Sequence, residues 1–389
     1  MIKKKDLGIY IHIPFCAHKC DYCDFCSGVA SRGEIAYYMR TILKEIRGFE
    51  PLGNLYQVRT VFFGGGTPSY LEAENLNRIM TQLRNQFLFT PDAEITVECN
   101  PGTLTEEKLR AYRAMGVNRL SMGLQSANNE ELALLGRIHT WETFLENYQL
   151  ARQIGFDNIN VDLMSALPKQ KLATWKDTLA KVAALAPEHI SAYSLILEEG
   201  TPFYERYTTT TVGKAMIPTE DEDREMYHYT GAYLAEQGYG RYEISNYAKE
   251  GRECRHNIAY WTGGEYIGFG MSAASYLMGC RFANPSKYND YWDYAPTAYQ
   301  SFRKMTPQSK TATVEEFMFL GLRMMRGIST GKFEERFQIG FDSLYGKIVE
   351  RMIRKGLMER ENEWVRLTEL GIDVSNRVLA EFLLDEELT

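Results

Sequence analysis

The chain is expected to be an α/β protein built on a partial parallel barrel of six β/α units. Three observations carry that expectation. Short runs rich in β-branched and aromatic residues recur through the first half of the sequence, helical stretches fill the gaps, and glycines stand where those helices should end. The runs are GIYIHIP (8–14), VRTVFFGGG (58–66), EITVECNP (94–101), NRLSMGLQS (118–126), NINVDLMSALP (158–168) and HISAYSLIL (189–197). Each reads as nearly continuously apolar or β-branched, as strands covered on both faces should be. Six such units fall short of the eight that close a full barrel. Between them, TEEKLRAYRAMG and WETFLENYQLARQIG read as helices, with Gly116 and Gly155 at the positions where a left-handed cap belongs.

After Gly200 the texture changes. TPFYERYTTTTVGKAMIP reads as a loop, followed by the acidic helix start TEDEDREMY, and tyrosine is dense from 227 to 299. Near the end, IVERMIRKGLMER has helical periodicity, MERENEWVRLT reads as a hairpin and DVSNRVLAEFLL as a final helix. Helix, hairpin and helix predict a winged-helix-like module, and its balanced charge favours a structural or docking role over DNA binding. The division expected is a barrel over 1–200, a small mixed α/β accessory module over 201–300 and a C-terminal helical domain over 301–389. No internal repeat or low-complexity segment is present.

Composition sets the bounds. Hydrophobic residues at 44% and charged residues at 24% describe a globular protein with a sizeable core. A net charge of −7 argues against a general nucleic-acid binder. MIKKKDLG lacks a following apolar stretch long enough for a signal peptide, and no apolar run could span a bilayer, so a cytoplasmic protein is expected, with transient membrane association left open.

Four of seven cysteines, Cys16, Cys20, Cys23 and Cys26, fall within YIHIPFCAHKCDYCDFCS, residues 10 to 27. In a reducing compartment such a group reads as a metal site before a disulfide framework. Cys16, Cys20 and Cys23 form C-x-x-x-C-x-x-C, which lets one tight loop present three thiolates, and soft thiolates favour zinc or iron–sulfur. A structural zinc usually takes ligand pairs from two separate knuckles, whereas Cys99, Cys254 and Cys280 stand alone. Three ligands on a 4Fe–4S cube would leave one iron open to an exchangeable molecule.

With these residues the chain resembles the radical S-adenosylmethionine (radical SAM) proteins of the oxygen-independent coproporphyrinogen oxidase superfamily, and within it the HemW-type haem chaperones. The likeness runs from Tyr10 to GIDVSNRVLAEFL, nearly the whole chain. It implies a 4Fe–4S cluster on Cys16, Cys20 and Cys23. It also implies S-adenosylmethionine on the open iron, where an electron from the cluster can cleave the sulfonium to a 5′-deoxyadenosyl radical. It further implies that Gly65, Gly66 and Thr67 of GGGTPS contact that cofactor, and that Glu98, Gln125, Arg137 and Asp162 hold its methionine and ribose groups. Acids suit hydroxyls and an ammonium, and an arginine suits a carboxylate. Tyr22, and with it Tyr10, corresponds to aromatic positions that pack on the adenine side. Cys26 falls one position after Phe25, where the oxidase branch carries a fourth cysteine, and is read as a non-ligand.

Two branches of the superfamily compete. The oxidase carries a long segment ahead of its cluster loop that helps bind substrate; fifteen residues precede Cys16 here, and the expectation is that this segment is missing. RHNIAYW (255–261) matches the H-N-x-x-Y-W pattern of the chaperones. A neutral imidazole is a common haem ligand, so His256 is the candidate ligand, with Tyr260 and Trp261 as packing neighbours. The alternative is that His256 only hydrogen-bonds in a corner of the fold. Two segments depart from the chaperone pattern: GMSAASY stands for GAGAHSY, placing Ala274 where a histidine is usual, and DLMSALPKQ stands for DLMYGLPGQ. The function expected is haem binding and delivery to an acceptor protein, with a low-potential electron donor for the cluster. The alternative is a radical enzyme acting on a tetrapyrrole, either a coproporphyrinogen oxidase or a haem-modifying enzyme, with oxidase activity the less favoured. A zinc-stabilised interaction protein is the third reading.

Overall fold

In the computed structural model, which describes residues 4–385, 387 and 388, the six expected strands form at β1 (Lys5–Ile13), β2 (Tyr56–Gly65), β3 (Leu88–Cys99), β4 (Arg119–Gln125), β5 (Ile159–Ser165) and β6 (His189–Ser194). Met1, Ile2 and Lys3 of MIKKKDLG lie outside the described residues. Each of the six strands pairs in parallel with the next. β1 and β6 do not meet. β1 instead pairs with β9 (Tyr266–Phe269), which leads to β10 (Ala274–Leu277) and β11 (Cys280–Ala283). β6 pairs with β8 (Asn246–Ala248), which leads to β7 (Gly240–Arg241). The result is one eleven-stranded sheet, and the segment after residue 200 supplies strands to both of its edges. One apolar core runs through all of it.

The strands are not apolar on both faces. Outward positions such as Ile9, Ile11, Val61, Val97, Leu120, Met122, Val161 and Leu163 are fully buried in the core. Inward positions alternate with them and are mostly polar. Tyr10, Phe62, Thr96 and Arg119 share one row; Glu98, Ser121, Asn160 and His189 share another; Gly123, Asp162 and Ser191 come above. A period of two makes this division possible, and the polar inner face is what an internal binding site requires.

RHNIAYW closes the bottom of this polar interior. Its residues form the helix Arg255–Trp261, and the Glu94 carboxylate accepts the backbone N–H groups of Arg255 and His256, each at 3.1 Å. An acid at a helix N-terminus satisfies donors that the helix itself cannot. His256 is 1% exposed; Nδ1 bonds Thr60 Oγ1 and Nε2 bonds the Tyr260 hydroxyl, each at 2.7 Å, and its ring stacks on Phe62. Burial, with help from the Arg119 guanidinium, lowers its pKa to about 3, so the ring is neutral.

Two sequence expectations change. Residues 201–217 fold into the helices Pro202–Thr208 and Thr211–Lys214, because Thr201 and Thr210 cap them and Phe203 and Tyr207 are buried. The final helix expected over DVSNRVLAEFLL forms only at Ser375–Ala380, preceded by a separate short helix, Glu369–Asp373, the two broken at Val374, whose backbone leaves the helical region. The hairpin forms as β13 (Met358–Glu361) and β14 (Trp364–Leu367), joined by β12 (Ile328–Ser329) in a three-stranded sheet with its own core. Among the described residues no helix is long and apolar enough to cross a membrane.

Glu45 ties the first helix, Arg32–Gly48, to the far edge of the sheet. Its carboxylate accepts from Gly270 N (2.9 Å), Asn284 Nδ2 (2.6 Å) and the Tyr291 hydroxyl (2.7 Å). Burial outweighs these donors and raises its pKa from 4.5 to about 7. The folded state therefore holds this proton more tightly than the unfolded chain does, and the group's contribution to stability falls as pH rises from about 4.5 to about 7. Glu45→Gln should flatten that part of the decline, read as denaturation midpoints of both proteins at about pH 5 and about pH 7.5. Glu94→Ala strands two helix amides and removes a neighbouring negative charge from buried Arg119; it should cost ~3–5 kcal/mol in denaturant unfolding. An unchanged midpoint would mean that Glu94 does not hold the plug.

Candidate functional site

The C-terminal ends of the six parallel strands open into a cleft of about 400 Å³. This is the end of a β/α barrel where side chains from different strands converge. Eleven of the residues singled out from the sequence line it: Cys16, Cys20, Cys23, Tyr22, Gly65, Gly66, Thr67, Glu98, Gln125, Arg137 and Asp162. Tyr10 and Tyr260 line a second cleft of about 450 Å³ beside it. The clefts share Asp24, Phe25, Gly65 and Glu98 as a common wall. His256 and Trp261 line neither. The first is held in the plug described above, and the second packs against the Arg323 guanidinium, 4.4 Å from its ring centre.

The cysteine loop is pinned on several sides. Cys16 N donates to Gly28 O and Gly28 N to Pro14 O, so the loop closes on itself at its base. Gly66 N donates to Ile13 O and Thr67 N to Phe15 O, zipping GGGT against the loop's first residues. A Cβ at Gly66 would lie 2.9 Å from three backbone atoms of Ile13 and Phe15, and one at Gly65, where φ is +109°, would strike the His12 ring. The glycines thus serve close approach of two chain segments, beyond any role toward a ligand. On the other side, Phe203 N donates to Asp21 O, Arg206 pairs with Asp21 at 3.0 Å, and the Phe203 ring meets Tyr22 edge-on.

All seven cysteines are free thiols. Cys16 Sγ accepts from Thr67 Oγ1 (3.4 Å) and Cys20 Sγ from Arg137 Nη1 (3.6 Å), while burial raises the Cys23 pKa. Among the described residues no three Cys, His, Asp or Glu side chains converge tightly enough for a single metal ion. Three thiols that one loop presents to one cleft are a donor set that suits a polynuclear cluster. Cys26 points elsewhere: its thiol donates to Ser286 O at 3.4 Å and it lines the second cleft.

Two acids line the same cleft, and one arginine lies beside Cys20. Glu98 accepts from Gly65 N at 3.1 Å; burial, then the nearby Asp162 charge, raises its pKa to about 8. Asp162, also raised by burial, accepts from Asn160 Nδ2 (2.7 Å), the Tyr193 hydroxyl (2.8 Å) and Ser121 Oγ (3.3 Å). Two acids short of counter-charge favour a cation or hydroxyl donors. Arg137 donates to Asn100 Oδ1 (2.9 Å) and Gly123 O (2.6 Å), and among the described residues it has no carboxylate partner. Gln125 sits at a bulge with φ of +74°, 9% exposed, and its Oε1 has no partner among the described residues. A buried orphan acceptor, an unpaired guanidinium and two acids fit a small zwitterion carrying a sulfonium and a ribose.

Sequence reading missed Asn100 and Tyr193. Asn100 links Thr67 (2.8 Å) to Arg137, and it sits inside EITVECNP, so its position at a strand end was the available signal. Tyr193 lies inside the sixth run and fixes Asp162; nothing in HISAYSLIL distinguishes it from a core aromatic.

The comparisons agree with this geometry. Residues 10–182 match the model of the Radical SAM superfamily and residues 308–374 that of the HemN C-terminal domain. The radical SAM domain brings with it a 4Fe–4S cluster and S-adenosylmethionine. Heme chaperone HemW of Lactococcus lactis is 37% identical over 98% of this chain and 99% of its own length; that of Bacillus subtilis is 35% identical over 96% and 98%. In fold, the chain superposes on coproporphyrinogen III oxidase (HemN) of Escherichia coli with a TM-score of 0.80 at 24% identity, covering 98% of this chain and 90% of that one. Similarity of this extent to several curated relatives shows that the chain belongs to the HemW family of radical SAM proteins.

Proposed function

We propose that this protein binds haem and passes it to an acceptor protein, from a barrel whose mouth holds the cluster and S-adenosylmethionine. The observation that carries the reading is end-to-end similarity to relatives named heme chaperone. The seven unpaired thiols accord with action in the reducing cytoplasm, where a low-potential donor would serve the cluster. No separate observation favours the oxidase alternative.

In this reading Cys16, Cys20 and Cys23 hold the cluster and Cys26 does not. Arg137 takes the cofactor's carboxylate, Glu98 and Asp162 its cationic and hydroxyl groups, and Thr67 and Gln125 offer hydrogen bonds from the cleft wall. Gly65 and Gly66 set the wall itself, and Tyr22 supplies an aromatic surface beside Arg137. When bound, the pair supplies one-electron reductive chemistry. The protein's part is to exclude water and fix orientation. A cationic ligand beside Glu98 favours its ionised form, so binding should release a proton at pH values below about 8.

Alanine at Cys16, Cys20 or Cys23 should each abolish iron and sulfide incorporation on anaerobic reconstitution, while Cys26→Ala should keep both. Loss with Cys26→Ala would overturn the three-ligand assignment. For function, reconstituted protein should bind hemin saturably and yield it to apomyoglobin used as a generic acceptor. It should form no protoporphyrinogen from coproporphyrinogen III with reductant and S-adenosylmethionine. Stoichiometric product would move the reading to the oxidase.

A further inference from the structure

Resting on that reading, we infer that the tetrapyrrole docks in the second cleft, against Tyr10, Tyr260 and Tyr266, with the Cys26 thiol as the side chain that ligates its iron. The cleft's volume, about 450 Å³, lies in the range of small-molecule sites. Its walls suit a flat apolar ring. Tyr260 and Tyr266 meet with centroids 4.3 Å apart, and Tyr10 stacks on Phe62. The three hydroxyls are already bonded, to His256, Arg281 and His12 respectively for Tyr260, Tyr266 and Tyr10, so what the rings offer is carbon surface. Ser272 and Ala274 supply small side chains on the facing wall.

The choice of donor follows from which groups are free. His256 has both ring nitrogens engaged inside the plug and lines no part of this cleft. His12 does line it, but Nδ1 faces the Tyr10 hydroxyl at 3.1 Å and Nε2 the Cys26 carbonyl at 2.8 Å. Cys26 engages only weak partners, its S–H to Ser286 O at 3.4 Å and the Ser272 side chain beside it. Ligation replaces the S–H by an S–Fe bond and releases the proton to water, at the cost of weak hydrogen bonds only. Thiolate is an established axial ligand to haem iron. The common wall of Asp24, Phe25, Gly65 and Glu98 then sets the macrocycle beside the cofactor cleft, with Phe25, 60% exposed, at the border.

The test uses full-length protein carrying its cluster, so that Cys16, Cys20 and Cys23 are occupied, with hemin as probe. Ala274→Trp fills the cleft from an exposed strand position; Val212→Trp adds the same bulk at an exposed site outside both clefts. Ala274→Trp should weaken hemin binding at least about tenfold while Val212→Trp binds as wild type. Cys26→Ser should bind hemin with a Soret band displaced from that of the wild type. Equal affinities for wild type and Ala274→Trp would overturn the location, and an unchanged Soret band in Cys26→Ser would overturn the thiol ligand. Absence of saturable binding by the wild type would instead remove the haem reading on which both stand.

Discussion

A partial barrel with a polar inner face must be sealed at one end if it is to stay open at the other. Glu94 does the sealing. Its carboxylate takes the first amides of the helix Arg255–Trp261 and stands near the buried Arg119. Without an acid there, a helix N-terminus and a guanidinium would face each other in a space that water does not reach. Single-partner loss inside such a network is costly because each remaining group stays desolvated.

From that seal upward the inner rows grow progressively more chemical. His189 bridges Asn160 and the Tyr242 hydroxyl, Asn160 reaches Asp162, and Asp162 with Glu98 opens onto the mouth. These acids are held near where water thins out, which is why burial dominates the shifts of both. The Arg137 guanidinium reaches the same cleft from the loop after the helix Asn129–Leu134, held by Asn100 Oδ1 and Gly123 O, so the cleft carries acids and a cation. Strand register sets the position of the two acids, and desolvation raises their pKa values.

The segment after residue 200 acts as a clamp on this arrangement. It extends both edges of the sheet, presses Phe203 against Tyr22 beneath the cysteine loop, and anchors the opposite side through Gly270, Asn284 and Tyr291 on Glu45. The cysteine loop leans on the GGGT turn, the helix Pro202–Thr208 and, through Phe15 edge-on to Tyr38, the first helix. That support frees its thiols from holding the fold together. It also leaves a second opening between β1, β9 and β10, bordered by tyrosines.

The six strands, the hairpin and the three-cysteine loop were legible in the sequence because each is written locally, in β-branched runs, turn residues and thiol spacing. Gly65, Gly66, Thr67, Glu98, Gln125 and Asp162 gather at one cleft because a parallel barrel puts every strand's C-terminal end in one place, whereas Cys16, Cys20, Tyr22, Cys23 and Arg137 reach it from loops and were legible through the family resemblance. The helices at 202–214 were not, since their stability comes from Phe203 and Tyr207 finding a pocket against Tyr22, Leu135 and Met164. The task of RHNIAYW was likewise out of reach. Spacing shows an imidazole four residues from a tyrosine, but whether its nitrogens face a ligand or Thr60 depends on where the helix lands, and that is set by Glu94, 162 residues away in sequence. Local pattern determined which elements exist and which residues stand at their ends. Only tertiary packing decided which polar atoms are consumed inside the fold and which are left facing a cleft, because desolvation and hydrogen-bond competition act between segments that the sequence keeps far apart.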